Sequence, residues 1–422
     1  MKTPSFKALH FFAFVLIFQC SFAEDRPIKS FAPKVKITQA VAPAIKKTSL
    51  TIKVLLDELD VHDKQKLVFS SNKSIFVEHE DEQGKKKWPE KKLELLIQDN
   101  KLYALDSHKK KYLHIKKDSL TIHPISGKLT FKKNTYQGAL TIKVDPHKKK
   151  LLFINKLNLD DYIYSVLRYE SLSFWPLEMQ KVQTVASRTY AVYQMRVNRT
   201  IRKNCPYDIK NTNHHQVYNG AHKCIHLRKA IQETHNQILT YNGSIALTMF
   251  DICCGGIIPW NMKKRDESKP YLFRKNKCSF CDKKSIKKWH QWKTTLTTKN
   301  FLDQLKKNTI LEAKLKKMGI LKNVKIWKKD KAGIVLSLIL YGSKRNVLIT
   351  RNQLDASLNE KFRSRVFTVK KEKNNITFDG FGYGHNTGLC QLGARELVRN
   401  GWNYKKILGF YFPDTKIARL MK

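Results

Sequence analysis

Acidic residues are scarce in this chain: 35 Asp and Glu stand against 81 Lys and Arg over 422 residues, a formal net charge of +46. The basic excess is spread along the whole length, not gathered in one tail, and such a field attracts polyanions or anionic surfaces. No nucleic-acid recognition motif accompanies it, and a proteome-wide lysine bias would give the same balance. Long apolar runs are also lacking. Past residue 23 none reaches the roughly 18 residues that a membrane-spanning helix needs, and the longest, "IVLSLILY" at 334–341, has strand length. No internal repeat is found. Of eight cysteines, one (Cys20) falls in the leader described next, leaving Cys205, Cys224, Cys253, Cys254, Cys278, Cys281 and Cys390. That number is odd, so disulfides within the chain cannot account for all of them.

What is present begins with a leader. Lys2 and Lys7, the apolar "ALHFFAFVLIF" and the small-residue "SFA" before Glu24 have the layout of a secretory signal over residues 1–23. A lipoprotein reading at Cys20 competes, but the bulky Gln19 before it argues against lipidation. Export removes nucleic acid as the default partner and favours anionic envelope polymers, or peripheral contact with the envelope membrane. Residues 24–48 hold three prolines and no sustained period, the pattern of a linker.

The fold class expected is α+β. From Ser49 to residue 158 short β-type runs ("LTIKVLL", "KLVFS", "SIFVEH", "LTIHPI", "LTFKK", "ALTIKV", "LLFINKLNL") alternate with turns rich in Lys, Gly, Pro and Asn, so residues 49–158 form a β-rich N-terminal half. At Asp160 the period changes. Asp160 reads as an N-cap, Ile163, Val166 and Leu167 share one helical face, and the helix is expected to end before Glu170. A second helix is expected from Pro176 at its first position, with Val182, Val185, Ala186, Thr189 and Tyr193 on one side. Beyond residue 200 the chain is mixed. It holds a short helical pattern at "HLRKAIQETHNQ", strands at "ILTYNG" and "WHQWKTTLT", a helix near 299–307, and two or three strands over 322–370. It closes on a glycine-rich loop, a helix stopping at Asn400-Gly401, and a last helix ending before Pro413.

An acid beside two helices is commonly a cap or a solvated charge. Around Glu170, however, Tyr169, Phe174 and Trp175 can partly desolvate the carboxyl, which raises its pKa and makes a proton donor near neutral pH. Arg188 would pull in the opposite direction or bind an anionic group. Glu178 is better explained by the helix dipole.

Several ordered motifs carry a family resemblance. "LDDYIYSVLRYESLSFWPLEMQKVQTVASRTYAVYQ" resembles the signature of the stage II sporulation protein D and amidase-enhancer family. "NHHQVYNG", "CCGG", "KPYL" and the closing "GFGYGHNTGLCQLGARELVRNGW" resemble that family's later motifs in the same order, over roughly residues 50 to 415. The resemblance implies a core at 159–415, with a central helical catalytic segment and a strand-rich insertion. It implies a peptidoglycan lytic transglycosylase acting on strands of N-acetylmuramate and N-acetylglucosamine, preferably without stem peptides, and needing no cofactor for catalysis. The alternative in the same family is a non-catalytic wall-binding enhancer of an N-acetylmuramoyl-L-alanine amidase. Glu170 is implied as catalytic acid and base. Arg188 would orient it or the sugar's lactyl carboxylate, and His385 would position a group in the loop. Trp175, Tyr271 and Gln391 are substrate-side candidates. Each has a plainer reading: Arg188 as a helix-surface arginine, His385 as the residue that orders a glycine loop. Asn386-Thr387 and Leu389-Cys390 depart from the family's usual residues.

Two clusters have metal-ligand spacing. "CSFC" at 278–281 follows Cys253-Cys254, and Cys205, His214, His215 and Cys224 form a second group; four such ligands suffice for a structural zinc. The family resemblance implies the second group. Disulfides, particularly Cys253 or Cys254 with Cys278 or Cys281, compete in an exported protein.

Overall fold

The computed structural model describes residues 50–420 except 63, 72–74, 80–85, 89–91, 107–110, 116–117, 125–127, 146, 148, 203, 213–214, 225, 282–286 and 359–360. The leader and the linker expected at 1–48 therefore lie outside the described residues. The chain is α+β.

The named elements among the described residues of 51–158 are all strands. A seven-stranded sheet has the order Ile209–Lys210, Thr51–Asp60, Lys150–Asn158, Ala139–Asp145, Ser119–Pro124, Ile75–His79, Lys86–Trp88. A six-stranded sheet has the order Asn134–Tyr136, Leu129–Phe131, Gln65–Ser71, Lys92–Gln98, Lys101–Asp106, Lys111–His114. Alternation explains why they pack. Leu93, Leu95 and Ile97 point inward from one sheet, Leu140, Ile142 and Val144 from the other, and all fall in one apolar core. The strands over 92–106 were not among those expected, although their period-two pattern is plain.

Nine helices follow among the described residues: α1 (Leu159–Glu170), α2 (Leu177–Thr200), α3 (Leu227–Glu233), α4 (Lys287–His290), α5 (Thr298–Lys306), α6 (Thr309–Lys316), α7 (Arg351–Leu358), α8 (Gln391–Arg399) and α9 (Tyr404–Tyr411). Three boundaries differ from the sequence expectation. Asn158, not Asp160, caps α1: its side chain accepts from the Asp160 N–H at 2.8 Å, leaving Asp160 and Asp161 in the first turn, where the helix dipole favours acids. Glu170 is the last residue of α1, not a loop residue after it, and Pro176 is the N-cap of α2 instead of its first residue.

A second core gathers α2, α8 and α9 around Met179, Val182, Leu397, Ile407 and five buried cysteines. A third belongs to the two three-stranded sheets and helices of 291–381, built on Trp292, Phe301, Phe362, Phe367 and Phe378. Where two or three strands were expected over 322–370 there are four, Leu321–Lys329, Val335–Gly342, Val347–Thr350 and Val366–Glu372, with α7 between the last two.

Candidate functional site

Glu170 ends α1 where three pieces of chain meet. The turn into α2 is fixed by the Ser171 hydroxyl, 2.7 Å from the Leu167 carbonyl and 2.9 Å from Gln180 Oε1, and by Gln180 Nε2 donating to the Leu172 carbonyl at 2.8 Å. From the segment after α2, the Val217 N–H donates to Glu170 Oε1 at 2.6 Å. From the start of α8, Gln391 Nε2 donates to the Glu170 carbonyl at 2.7 Å and to Gln183 Oε1 at 3.2 Å.

The Val217 donor is held on both sides. Gln216 accepts from the Tyr162 hydroxyl (3.1 Å) and donates to the Ser187 carbonyl (3.3 Å), tying α1 to α2. Tyr218 donates through its hydroxyl to Asn155 of the seven-stranded sheet at 2.6 Å, and its N–H donates to Asn211 Oδ1 at 2.7 Å. "QVY" thus acts as a strut whose central N–H meets the carboxylate. Side-chain reasoning did not find Val217, because a backbone donor leaves no residue-type signal.

Burial pushes the half-buried Glu170 carboxyl up from 4.5 to about 7, and the Val217 N–H, which favours the charged form, pulls against that rise. Its place at the negative end of the α1 dipole acts in the same direction as burial. Near neutral pH the group exists in both protonation states. Tyr169 and Phe174, expected to desolvate it, are 43% and 77% exposed, whereas Trp175 is buried in the second core.

The other expected residues sit elsewhere in the network. Arg188 is fully buried; its Nη2 meets Asp160 Oδ1 at 3.0 Å, and its Nη1 donates to the carbonyls of Thr234 (2.8 Å) and Gln237 (3.3 Å). It joins α2 to the first turn of α1 and to the end of α3, one helix length from Glu170. Tyr271 is buried, its hydroxyl accepting from the Leu247 N–H at 2.9 Å, and burial pushes it up to about 12. His385 sits in the glycine-rich loop. Its Nε2 is 3.1 Å from the Phe250 carbonyl, and its Nδ1 accepts from the Thr387 N–H at 3.1 Å. Burial, then the charge of Arg365, lowers its pKa to about 4, so the ring is neutral with its proton on Nε2. The loop packs closely: Gly384 has φ +130°, and a Cβ there would lie 2.3 Å from the Asp251 Cβ.

Of the expected ligand group Cys205, His214, His215 and Cys224, His214 lies outside the described residues. The other three do not converge as a trio, so the described residues do not form a metal site there. A different set does converge: Cys254, Cys278, Cys281 and Cys390, all buried, form a cluster able to coordinate a metal ion, with Cys253, Cys281 and His290 beside it. None of the seven described cysteines is in a disulfide, so the pairing of Cys253 or Cys254 with Cys278 or Cys281 is not formed.

Comparison with known proteins agrees with this layout. A family model described as stage II sporulation protein matches residues 147–241, and a domain of unknown function matches 256–388, which holds most of the third core. An uncharacterized protein of Brachyspira hyodysenteriae is 32% identical over 286 residues, covering 67% of this chain and 72% of that protein. The amidase enhancer of Bacillus subtilis is 26% identical over 292 residues, covering 60% of this chain but only 40% of the enhancer. The stage II sporulation protein D of Bacillus subtilis is 25% identical over 299 residues, covering 67% of this chain and 82% of that protein.

Proposed function

We propose that this chain, which belongs to the stage II sporulation protein D and amidase-enhancer family, is an exported wall-binding protein that holds peptidoglycan glycan strands at the Glu170 corner and promotes an N-acetylmuramoyl-L-alanine amidase. One observation carries this reading: the side chains expected to work with Glu170 are engaged elsewhere. Arg188 serves Asp160, Tyr271 serves Leu247, and the two ring nitrogens of His385 serve the Phe250 carbonyl and the Thr387 N–H of its own loop. The exposed Tyr169, Leu172 and Phe174 around the α1–α2 turn offer apolar faces of the kind that mark binding surfaces. In this reading residues 1–23 direct export to the periplasm or wall, 24–48 link, 49–158 brace the corner, and 159–415 form the binding core. The basic field meets anionic wall polymer, with no nucleic-acid partner, and any membrane contact is peripheral. Arg188, His385 and Gln391 are positioning residues, acting through Asp160, the glycine-rich loop and the Glu170 carbonyl. The test is sacculus binding together with stem-peptide release by an added amidase. Release should rise severalfold with the chain present and remain so with Glu170→Gln; no rise would overturn the reading.

A second reading is favoured by the raised pKa of Glu170. A half-buried acid near pH 7 suits one carboxyl that donates and then accepts a proton. It would protonate the oxygen leaving between N-acetylmuramate and N-acetylglucosamine. As carboxylate, supported by the Val217 N–H, it would take the proton of the muramate 6-hydroxyl while that oxygen attacks C1, leaving a 1,6-anhydro end. No second carboxylate is needed, unlike in ordinary glycoside hydrolysis. Its signature is anhydro ends on peptide-free glycan, abolished by Glu170→Gln.

A further inference from the structure

The second core contains a feature that neither reading of Glu170 uses. We propose that Cys254, Cys278, Cys281 and Cys390 bind one zinc ion as a closed tetrathiolate site.

The four sulfur atoms lie within 4.8 Å of one another. In a tetrahedral zinc site with bonds of about 2.3 Å, neighbouring sulfurs stand about 3.8 Å apart; Cys254 Sγ and Cys281 Sγ are 3.8 Å apart. A disulfide requires about 2.05 Å. Four sulfurs facing one centre suit a shared ion better than two separate bridges.

The surroundings are those of thiolates. The N–H groups of Cys254 and Gly393 donate toward Cys390 Sγ at 3.3 and 3.4 Å, and the Tyr411 hydroxyl lies 3.2 Å from Cys278 Sγ. Cys390 is also the N-cap of α8, where the helix dipole favours negative charge. Such donors to coordinating sulfur are the outer shell that orients ligands and compensates their charge.

Arg274 supplies an independent observation. It is 1% exposed, and the described residues place no carboxylate within ion-pair distance of it, although the buried Asp251 carboxylate feels its charge. Its Nη2 reaches Cys254 Sγ at 3.0 Å and the Ile257 carbonyl at 3.2 Å, and its Nη1 reaches the Gly388 carbonyl at 3.4 Å. A buried cation without a counter-charge is strongly unfavourable. Zinc with four thiolates carries a net charge of −2, which a buried arginine in contact with Cys254 Sγ half neutralises, whereas four neutral thiols would leave Arg274 only the more distant Asp251 carboxylate.

The site joins three distant segments: "CCGG", "CSFC" and the start of α8. Cys253, beside it, is bridged through its backbone to Tyr383 of the glycine-rich loop, and Gln391 follows Cys390 directly and donates to the Glu170 carbonyl. Metal would therefore fasten the loop and the Gln391 contact, whether Glu170 binds glycan or cleaves it. The neighbouring trio of Cys253, Cys281 and His290 offers three ligands and shares Cys281, so it is not a closed structural site while the tetrathiolate is filled.

The test measures metal content of the full chain purified without reductant in zinc-containing buffer. About one zinc per chain is expected in wild type, in Cys253→Ser and in the Cys205→Ser/Cys224→Ser pair, falling to about a tenth in Cys278→Ser and in Cys390→Ser. Replacement by cobalt should give the intense visible spectrum of a tetrahedral cobalt thiolate. Should the serine variants fail to fold, wild type still decides: chelation should expose four more cysteines to alkylation, matching the cluster. The proposal is overturned by metal-free wild type, by disulfides linking these cysteines in unreduced mass spectra, or by zinc that leaves with Cys253→Ser and stays with Cys390→Ser.

Discussion

The protonation of Glu170 sets the sharpest expectation for a single residue. Its folded pKa, about 7, lies above its ordinary 4.5. The folded state therefore binds this proton more tightly than the unfolded chain. The associated stability is fully present below pH 4.5 and is lost as pH rises through about 7. The rise corresponds to a ceiling of about 3 kcal/mol. Glu170→Gln, which cannot ionise, should be no more stable than wild type at pH 4 and more stable at pH 8, by up to about that amount in urea unfolding. A constant difference across this range would mean that burial does not shift the group. Glu170 itself was legible from its aromatic corner and the motifs around it, but the reason for its shift was not. Tyr169 and Phe174 point outward, so they are not what buries it, and the atom that meets the carboxylate and opposes the rise is a main-chain nitrogen 47 residues away.

At the scale of elements, the helices around the corner depend on a buried ion pair and a close packing contact. Asp160→Ala would leave the Arg188 guanidinium buried without its acid, a change that costs about 3 kcal/mol or more; it should lower the urea midpoint with little change in slope. Gly393 lies in the first turn of α8. A Cβ there would stand 2.3 Å from the Tyr411 hydroxyl and 2.6 Å from Cys278 Sγ. Gly393→Ala should therefore destabilise the protein by about 1–3 kcal/mol and reduce zinc retention against a chelator; an unchanged chelation rate would separate α8 from the cysteine cluster. Both helices were visible in the sequence through their apolar period. Their ends were less so, since Asn158 and Asp160 are both good caps and only the hydrogen bond decides between them. Cys390 read as a departure from a family motif, because nothing local ties it to cysteines more than 100 residues earlier.

For the whole molecule, charge and wall affinity should be linked. A net charge of +46 over an anionic polymer makes retention depend on ionic strength, because screening shortens from about 30 Å at 0.01 M salt to about 8 Å at 0.15 M. Binding to sacculi should weaken severalfold over that range, and further when anionic polymer is stripped from them; salt-independent retention would assign affinity to the Glu170 corner alone. The sequence conveyed the α+β class and the order of its parts. It did not convey the separation into three cores, since that depends on which buried faces meet.

The central claim is that the corner holds glycan for another enzyme, and one mass-spectrometric digest tests it. Sacculi are incubated with an N-acetylmuramoyl-L-alanine amidase, with and without this chain, and both released stem peptides and glycan ends are quantified. The account predicts a severalfold rise in stem-peptide release with no increase in 1,6-anhydro ends. New anhydro ends that vanish with Glu170→Gln would contradict it and make Glu170 the catalyst.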